Sequence, residues 1–134
     1  MTDKPLIYII EEDAYLAGIY ARKLEIEQCQ VKVADNLIEA RRILKKQKPS
    51  AIIVDAAIEN ESGFELIEEI RKMRGYKKMP LIIVTDLGDR QSVKLGIEKG
   101  ATDYLIKGHF VPSEAAKKIK RLALAYGKLI RKKK

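Results

Sequence analysis

The sequence predicts an α/β domain built as a doubly wound parallel sheet of five βα units, (βα)5. Three observations carry this reading. Five apolar runs of strand length recur along the 134 residues, each followed by a longer stretch with apolar residues three or four apart. Most runs are continuously apolar instead of alternating in polarity, as strands covered on both faces require. Helix breakers stand at the joins. Alternating βα units imply right-handed crossovers and helices on both faces of one sheet.

Each element follows from local pattern. Leu6–Ile10 is the first strand, and Leu16, Ile19, Tyr20 and Leu24 mark the helix after it. Val31–Ala34 is the second strand, followed by the stripe Leu37, Ala40, Ile43 and Leu44. Lys48-Pro49 precedes the third strand, Ala51–Val54, and Phe64, Ile67, Ile70 and Met73 mark the third helix. Met79-Pro80 precedes the fourth, Leu81–Val84; Val93 and Ile97 give a shorter, weaker helix that Gly100 ends. Asp103–Ile106 is the fifth strand. Pro112-Ser113 opens the longest stripe, Ile119, Leu122, Ala123, Tyr126 and Ile130. With no internal repeat or linker, residues 1–134 read as one domain.

Composition excludes several classes. An apolar share of 46% with 34% charged residues is that of a soluble globular protein. No apolar run reaches membrane-spanning length, and the N-terminus lacks a signal-peptide core. Cys29 is the only cysteine, so no internal disulfide forms. A cytoplasmic location is the expectation. The net charge of +8 is concentrated: residues 117–134 hold nine Lys or Arg and no acid, leaving the body nearly neutral. That helix and tail would attract nucleic acid, an anionic surface or an acidic partner; the plainer reading is a solvated helix face complementing the helix dipole.

The chemistry is expected where the strands end. In an open parallel sheet the strand C-termini share one edge, and ligands bind there. Here the strands run into Glu11-Glu12-Asp13, Asp55, Thr85 and Lys107. Clustered carboxylates repel unless a cation neutralises them, and an oxygen-rich site with few protein ligands suits hydrated Mg²⁺. A hydroxyl and an ammonium from the neighbouring strands would meet the negative oxygens of a phosphoryl group carried by Asp55. Each residue alone has a structural reading: an acid closing a strand, a hydroxyl bonding backbone, a lysine pairing with Asp55. The coincidence of four strand ends carries the weight.

With these residues in place, the chain resembles a response-regulator receiver domain of two-component signalling. Glu11, Glu12 and Asp13 match the acidic cluster, Asp55 the phospho-acceptor, Thr85 the hydroxyl, Tyr104 the switch aromatic and Lys107 the lysine. Gly63 stands eight residues after Asp55 as the loop glycine, and Gly100-Ala101-Thr102-Asp103-Tyr104-Leu105-Ile106-Lys107 is a particularly specific match. The resemblance covers a core of about 4–127, leaving a basic tail at 128–134. It implies a flavodoxin-like sheet of order 2-1-3-4-5. It implies phosphorylation of Asp55 by a histidine kinase or phosphotransfer protein, with Mg²⁺ held by the acidic cluster, Asp55 and the Ala57 backbone carbonyl. Thr85 would then turn toward the phosphoryl group and Tyr104 move inward behind it. The implied protein is a stand-alone receiver, monomeric or a phosphorylation-dependent homodimer, contacting a downstream protein. It is no enzyme beyond autophosphorylation and autodephosphorylation at Asp55.

Several positions depart from that pattern. Glu12 stands where an aspartate is usual, so Asp13 is an alternative direct ligand. No proline follows Asp55 four residues on, where Glu59 stands, and that loop is expected to be more mobile. Asp86 adds bulk and charge beside the approach, or caps the next turn. Gly108 replaces a proline that commonly makes a cis peptide, and His109, the only histidine, is assigned a packing or surface role. These departures support an alternative: a phosphorylation-deficient pseudo-receiver acting as a binding module. A basic-helix contact to nucleic acid ranks last, because no recognition module is present. A dehalogenase-type phosphatase would need a second aspartate where Ala57 stands, and flavin binding a phosphate-cradling loop where three acids stand.

Overall fold

The computed structural model describes residues 4–58 and 61–132. In order they form β1 (Leu6–Ile10), α1 (Ala14–Ile26), β2 (Gln30–Ala34), α2 (Leu37–Lys46) and β3 (Ala51–Asp55). There follow β4 (Ala57–Ile58), β5 (Glu61–Ser62), α3 (Gly63–Lys72), β6 (Leu81–Thr85), α4 (Arg90–Lys99), β7 (Asp103–Ile106) and α5 (Pro112–Lys132). The sheet runs β2-β1-β3-β6-β7, with every pairing parallel. Setting aside the two-residue antiparallel ribbon of β4 and β5, this is the expected order 2-1-3-4-5. The ribbon is an addition that apolar periodicity could not signal, since two-residue strands carry none.

The continuous apolar runs serve two cores, because successive strand residues point to opposite faces. Tyr8 and Ile10 join α2 and α3 on one face; Ile7 and Ile9 join α1 and α5 on the other. Every residue of β3 and β6 is buried, whereas β2 is an exposed edge. At the base of the sheet, two tyrosines satisfy carbonyls at the C-terminal end of α2. Tyr8 donates to Ile43 and Gln47, and Tyr76 donates to Leu44. The Arg71 guanidinium joins three segments there, donating to the Gly100, Tyr76 and Met79 carbonyls and to Thr102 Oγ1.

α4 departs from its sequence reading. Val93 is only half-buried and Ile97 is exposed; the helix rests on the sheet through buried Gly96. A Cβ at Gly96 would stand 2.7 Å from Ile83 Cδ1 and 3.0 Å from the Tyr104 ring. The missing side chain lets the helix backbone approach the strands and leaves Leu95 and Ile97 facing outward.

The register sets the functional edge. Ile10 pairs with Val54, Asp55 with Val84, and Thr85 with Ile106. Glu11, Asp55, Thr85 and Lys107 are therefore nearly level.

Candidate functional site

Asp55 closes β3 and keeps only 8% of its surface. Its Oδ1 accepts the Ala57 N–H at 3.0 Å, and its Oδ2 faces Lys107 Nζ at 3.1 Å. Lys107 is brought there by its own backbone, whose N–H donates to the Thr85 carbonyl at 2.8 Å. The same ammonium lies 3.5 Å from Glu11 Oε1. Glu11, almost fully buried, hydrogen-bonds to Asp55 and accepts the Asp13 N–H at Oε2, 3.2 Å away.

Two buried carboxyls sharing one ammonium cannot both ionise freely. Burial, then the hydrogen bond and charge of Asp55, push the Glu11 carboxyl up to about 7, against the Asp13 N–H and Lys107. At Lys107 burial works against the charged form, but the hydrogen bond to Asp55 and the charges of Asp55, Glu11 and Asp86 outweigh it and raise its pKa. The ammonium is therefore fixed, and the Glu11 carboxyl takes up a proton more readily than a free one, a proton that a second cation would displace.

Gly63 shapes the acceptor loop. Its N–H donates to the Ala56 carbonyl at 2.6 Å, and a Cβ there would fall well inside contact distance of the Asp55 carbonyl oxygen, 2.9 Å from Ala56 Cα. Thr85 is buried, with its Oγ1 accepting the Leu87 N–H at 3.2 Å. Tyr104 is half-buried, and its hydroxyl donates to the Leu87 carbonyl at 2.6 Å. Both candidate switch residues thus hold Leu87, a residue sequence reasoning did not single out. Only its backbone is used, so no side-chain signal could have marked it.

The acidic cluster divides on folding. Asp13 is the N-cap of α1, its Oδ1 accepting the Tyr15 and Leu16 N–H groups at 3.0 and 3.1 Å. Glu12 is exposed. Among the described residues no three acidic, histidine or cysteine side chains form a group able to hold a metal ion. The meeting pair is Glu11 and Asp55. Its all-oxygen donor set, with one exchangeable proton, fits a hard divalent cation.

The remaining positions also resolve. Asp86 is exposed and its charge reaches Lys107, but the residue capping α4 is Asp89. Gly108 has φ 84° in a turn without a cis peptide, and His109 is exposed. Glu59 lies outside the described residues. Lys118 of α5, part of the basic stretch, pairs with Asp103.

Comparison with known proteins agrees with this geometry. The family model of the response regulator receiver domain matches residues 7–120. The phosphate regulon transcriptional regulatory protein PhoB of Pseudomonas aeruginosa is 28% identical over 114 residues, covering 85% of this chain and 49% of that protein. An uncharacterized 14.6 kDa protein from the sodA1 3′ region of Leptolyngbya boryana is 28% identical, covering 90% of this chain and 91% of that one. The signal receiver domain of a signal transduction histidine kinase from Syntrophus aciditrophicus superposes with a TM-score of 0.80 at 27% identity, covering 90% of this chain and 91% of that one. The chain spans about half the length of the curated transcriptional regulators it matches. Among the described residues, no helix is long and apolar enough to cross a membrane. Sheet order, the Asp55–Lys107–Glu11 constellation and the family match together place the chain in the response-regulator receiver family of two-component signalling.

Proposed function

We propose that Asp55 accepts a phosphoryl group from a phosphohistidine of a histidine kinase or phosphotransfer protein, and that the chain signals through protein contacts. The observation that carries this reading is the Lys107 ammonium at 3.1 Å from Asp55 Oδ2, fixed at the end of a neighbouring strand. An Asp55 carboxylate oxygen bonds to phosphorus, the bond from phosphorus to the donor nitrogen breaks, and that nitrogen keeps the electron pair. Lys107 supplies positive charge where the phosphoryl oxygens gather. Thr85 can donate to those oxygens by rotating away from Leu87. Tyr104, bonded to the same residue, would follow inward.

Glu11, Asp55 and the Ala57 carbonyl, with Glu12 or Asp13, would hold Mg²⁺. When bound, that ion adds charge opposite the phosphoryl oxygens. The chemistry assigned to the chain is limited to forming and losing this acyl phosphate. The exposed Leu95 and Ile97 of α4 offer apolar surface for a downstream protein or a second phosphorylated copy. A cytoplasmic site of action follows from the kinase partnership.

Incubation with Mg²⁺ and acetyl phosphate should add the mass of one phosphoryl group to the intact chain. The gain should vanish in Asp55→Ala and in chelator. Loss of the gain with both acetyl phosphate and kinase donors would leave the phosphorylation-deficient binding module as the reading, one that the exposed acid at Asp86 favours. Asp86→Ala should speed phosphorylation by acetyl phosphate roughly three- to tenfold, because it removes a negative charge from the approach of an anion. An unchanged rate, read by the same mass measurement over time, would show that Asp86 does not face the donor.

A further inference from the structure

A second charged surface lies at the other end of the sheet, where the strands begin. Two grooves adjoin there, about 440 and 320 Å³ in volume, with Lys48 lining both. Lys45, Lys46 and Arg74 line the first, and Lys77 and Lys78 the second. All six cations are exposed, and neither groove is lined by an acid. Among the described residues none of the six forms an ion pair within this chain, whereas Arg41, Arg42, Lys99, Lys107 and Lys118 all do.

Complementing the helix dipoles accounts for part of this charge, since Lys45 and Lys46 end α2. It does not account for Lys48, Lys77 and Lys78, which stand in loops. The second groove is floored by Leu129, Ile130 and the ring of Tyr126. Lys48 is already placed across that floor, its Nζ 5.3 Å from the Tyr126 ring centre and 3.2 Å from the Gly75 carbonyl.

From this juxtaposition we infer that the base of the domain is a docking site for an acidic protein segment that carries large aliphatic side chains among its carboxylates. The aliphatic side chains would cover Leu129 and Ile130, and the carboxylates would meet the rim. The chemistry favours this occupant over nucleic acid. Single strands bind through exposed aromatic faces, and the rings here, Tyr76 and Tyr126, are buried with their hydroxyls turned to the Leu44 and Gly75 carbonyls. It favours it over a lipid surface because the apolar residues line a groove that lysines share. The site lies at the opposite end of the sheet from Asp55.

The test uses the full chain and a fluorescein-labelled peptide of Glu-Leu-Glu-Glu-Leu repeats, read by anisotropy. Lys77→Glu with Lys78→Glu should weaken binding roughly tenfold or more, as loss of two rim charges and gain of two repulsions requires. Leu129→Ser should weaken it several-fold, and a peptide with Ser in place of Leu should bind correspondingly less well. Lys117→Ala with Arg121→Ala, on the other basic stretch of α5, should leave affinity unchanged. Thermal melts of each variant separate loss of the groove from loss of the fold. The inference is overturned if the peptide does not bind, if the charge-reversed variant binds it equally well, or if an oligonucleotide or anionic vesicle binds these residues more tightly than the peptide.

Discussion

Replacing Gly63 with alanine should cost about 3 kcal/mol or more of folding stability and sharply reduce phosphorylation, although only one methyl group is added. The added Cβ would collide with the Asp55 carbonyl oxygen and the Ala56 backbone, atoms that cannot swing aside as a side-chain tip can. Relief requires the start of α3 to move away from the end of β3. That breaks the 2.6 Å bond from the Gly63 N–H to the Ala56 carbonyl and displaces the turn that presents Asp55. Gly18→Ala is the matched control. Gly18 is an exposed glycine within α1 with no atom within 4 Å of its added Cβ, and the exchange should stabilise the domain by about 1 kcal/mol. Urea denaturation of the two variants measures both effects. Equal stabilities would refute the close approach at the acceptor loop.

Glu11→Gln should make the domain more stable at pH 8 and leave it nearly unchanged at pH 4. Burial against Asp55 raises the Glu11 carboxyl to about 7, so between the unfolded value near 4.5 and about 7 the folded chain binds more protons than the unfolded one. Its contribution is fully present below about 4.5 and is lost as pH rises through about 7. A shift of this size corresponds to about 3 kcal/mol, reduced to about 1–3 kcal/mol by the solvent that reaches the site. Lys107 has a raised pKa of its own and stays charged throughout this window, so it adds no slope. Glutamine cannot ionise, so the variant should lack that decline. Melts in chelator across pH 4–8 read the difference directly. Parallel pH profiles for the two proteins would show that Glu11 ionises without cost.

Much of this molecule was legible in its sequence, for identifiable reasons. Strands covered on both faces announce themselves as continuous apolar runs, and the five long strands fall within one residue of their expected bounds. The strand-end residues were legible because parallel topology brings C-termini to one edge; Asp55, Glu11, Thr85 and Lys107 meet there as that logic requires. What stayed hidden depends on contacts distant in sequence or on backbone alone. Asp13 reads equally well as a ligand or a cap until the start of α1 is fixed. Gly96 carries no apolar signal, yet it seats α4. Nor could composition reveal the base. It put the positive charge in residues 117–134, while folding gathers Lys45 and Lys46 from the end of α2 with Lys48, Arg74, Lys77 and Lys78 from the loops before β3 and β6.

The glycine seat of α4 has a mechanical consequence. α2 and α3 bury four and five residues each, so sliding either one exposes core to water. α4 buries only Gly96, a residue with no side chain to extract. Its displacement costs a small fraction of the energy that moving either of the others would. The domain therefore has one wall that can be re-set against the strands while its interior stays closed, and that wall bears on the Tyr104 ring.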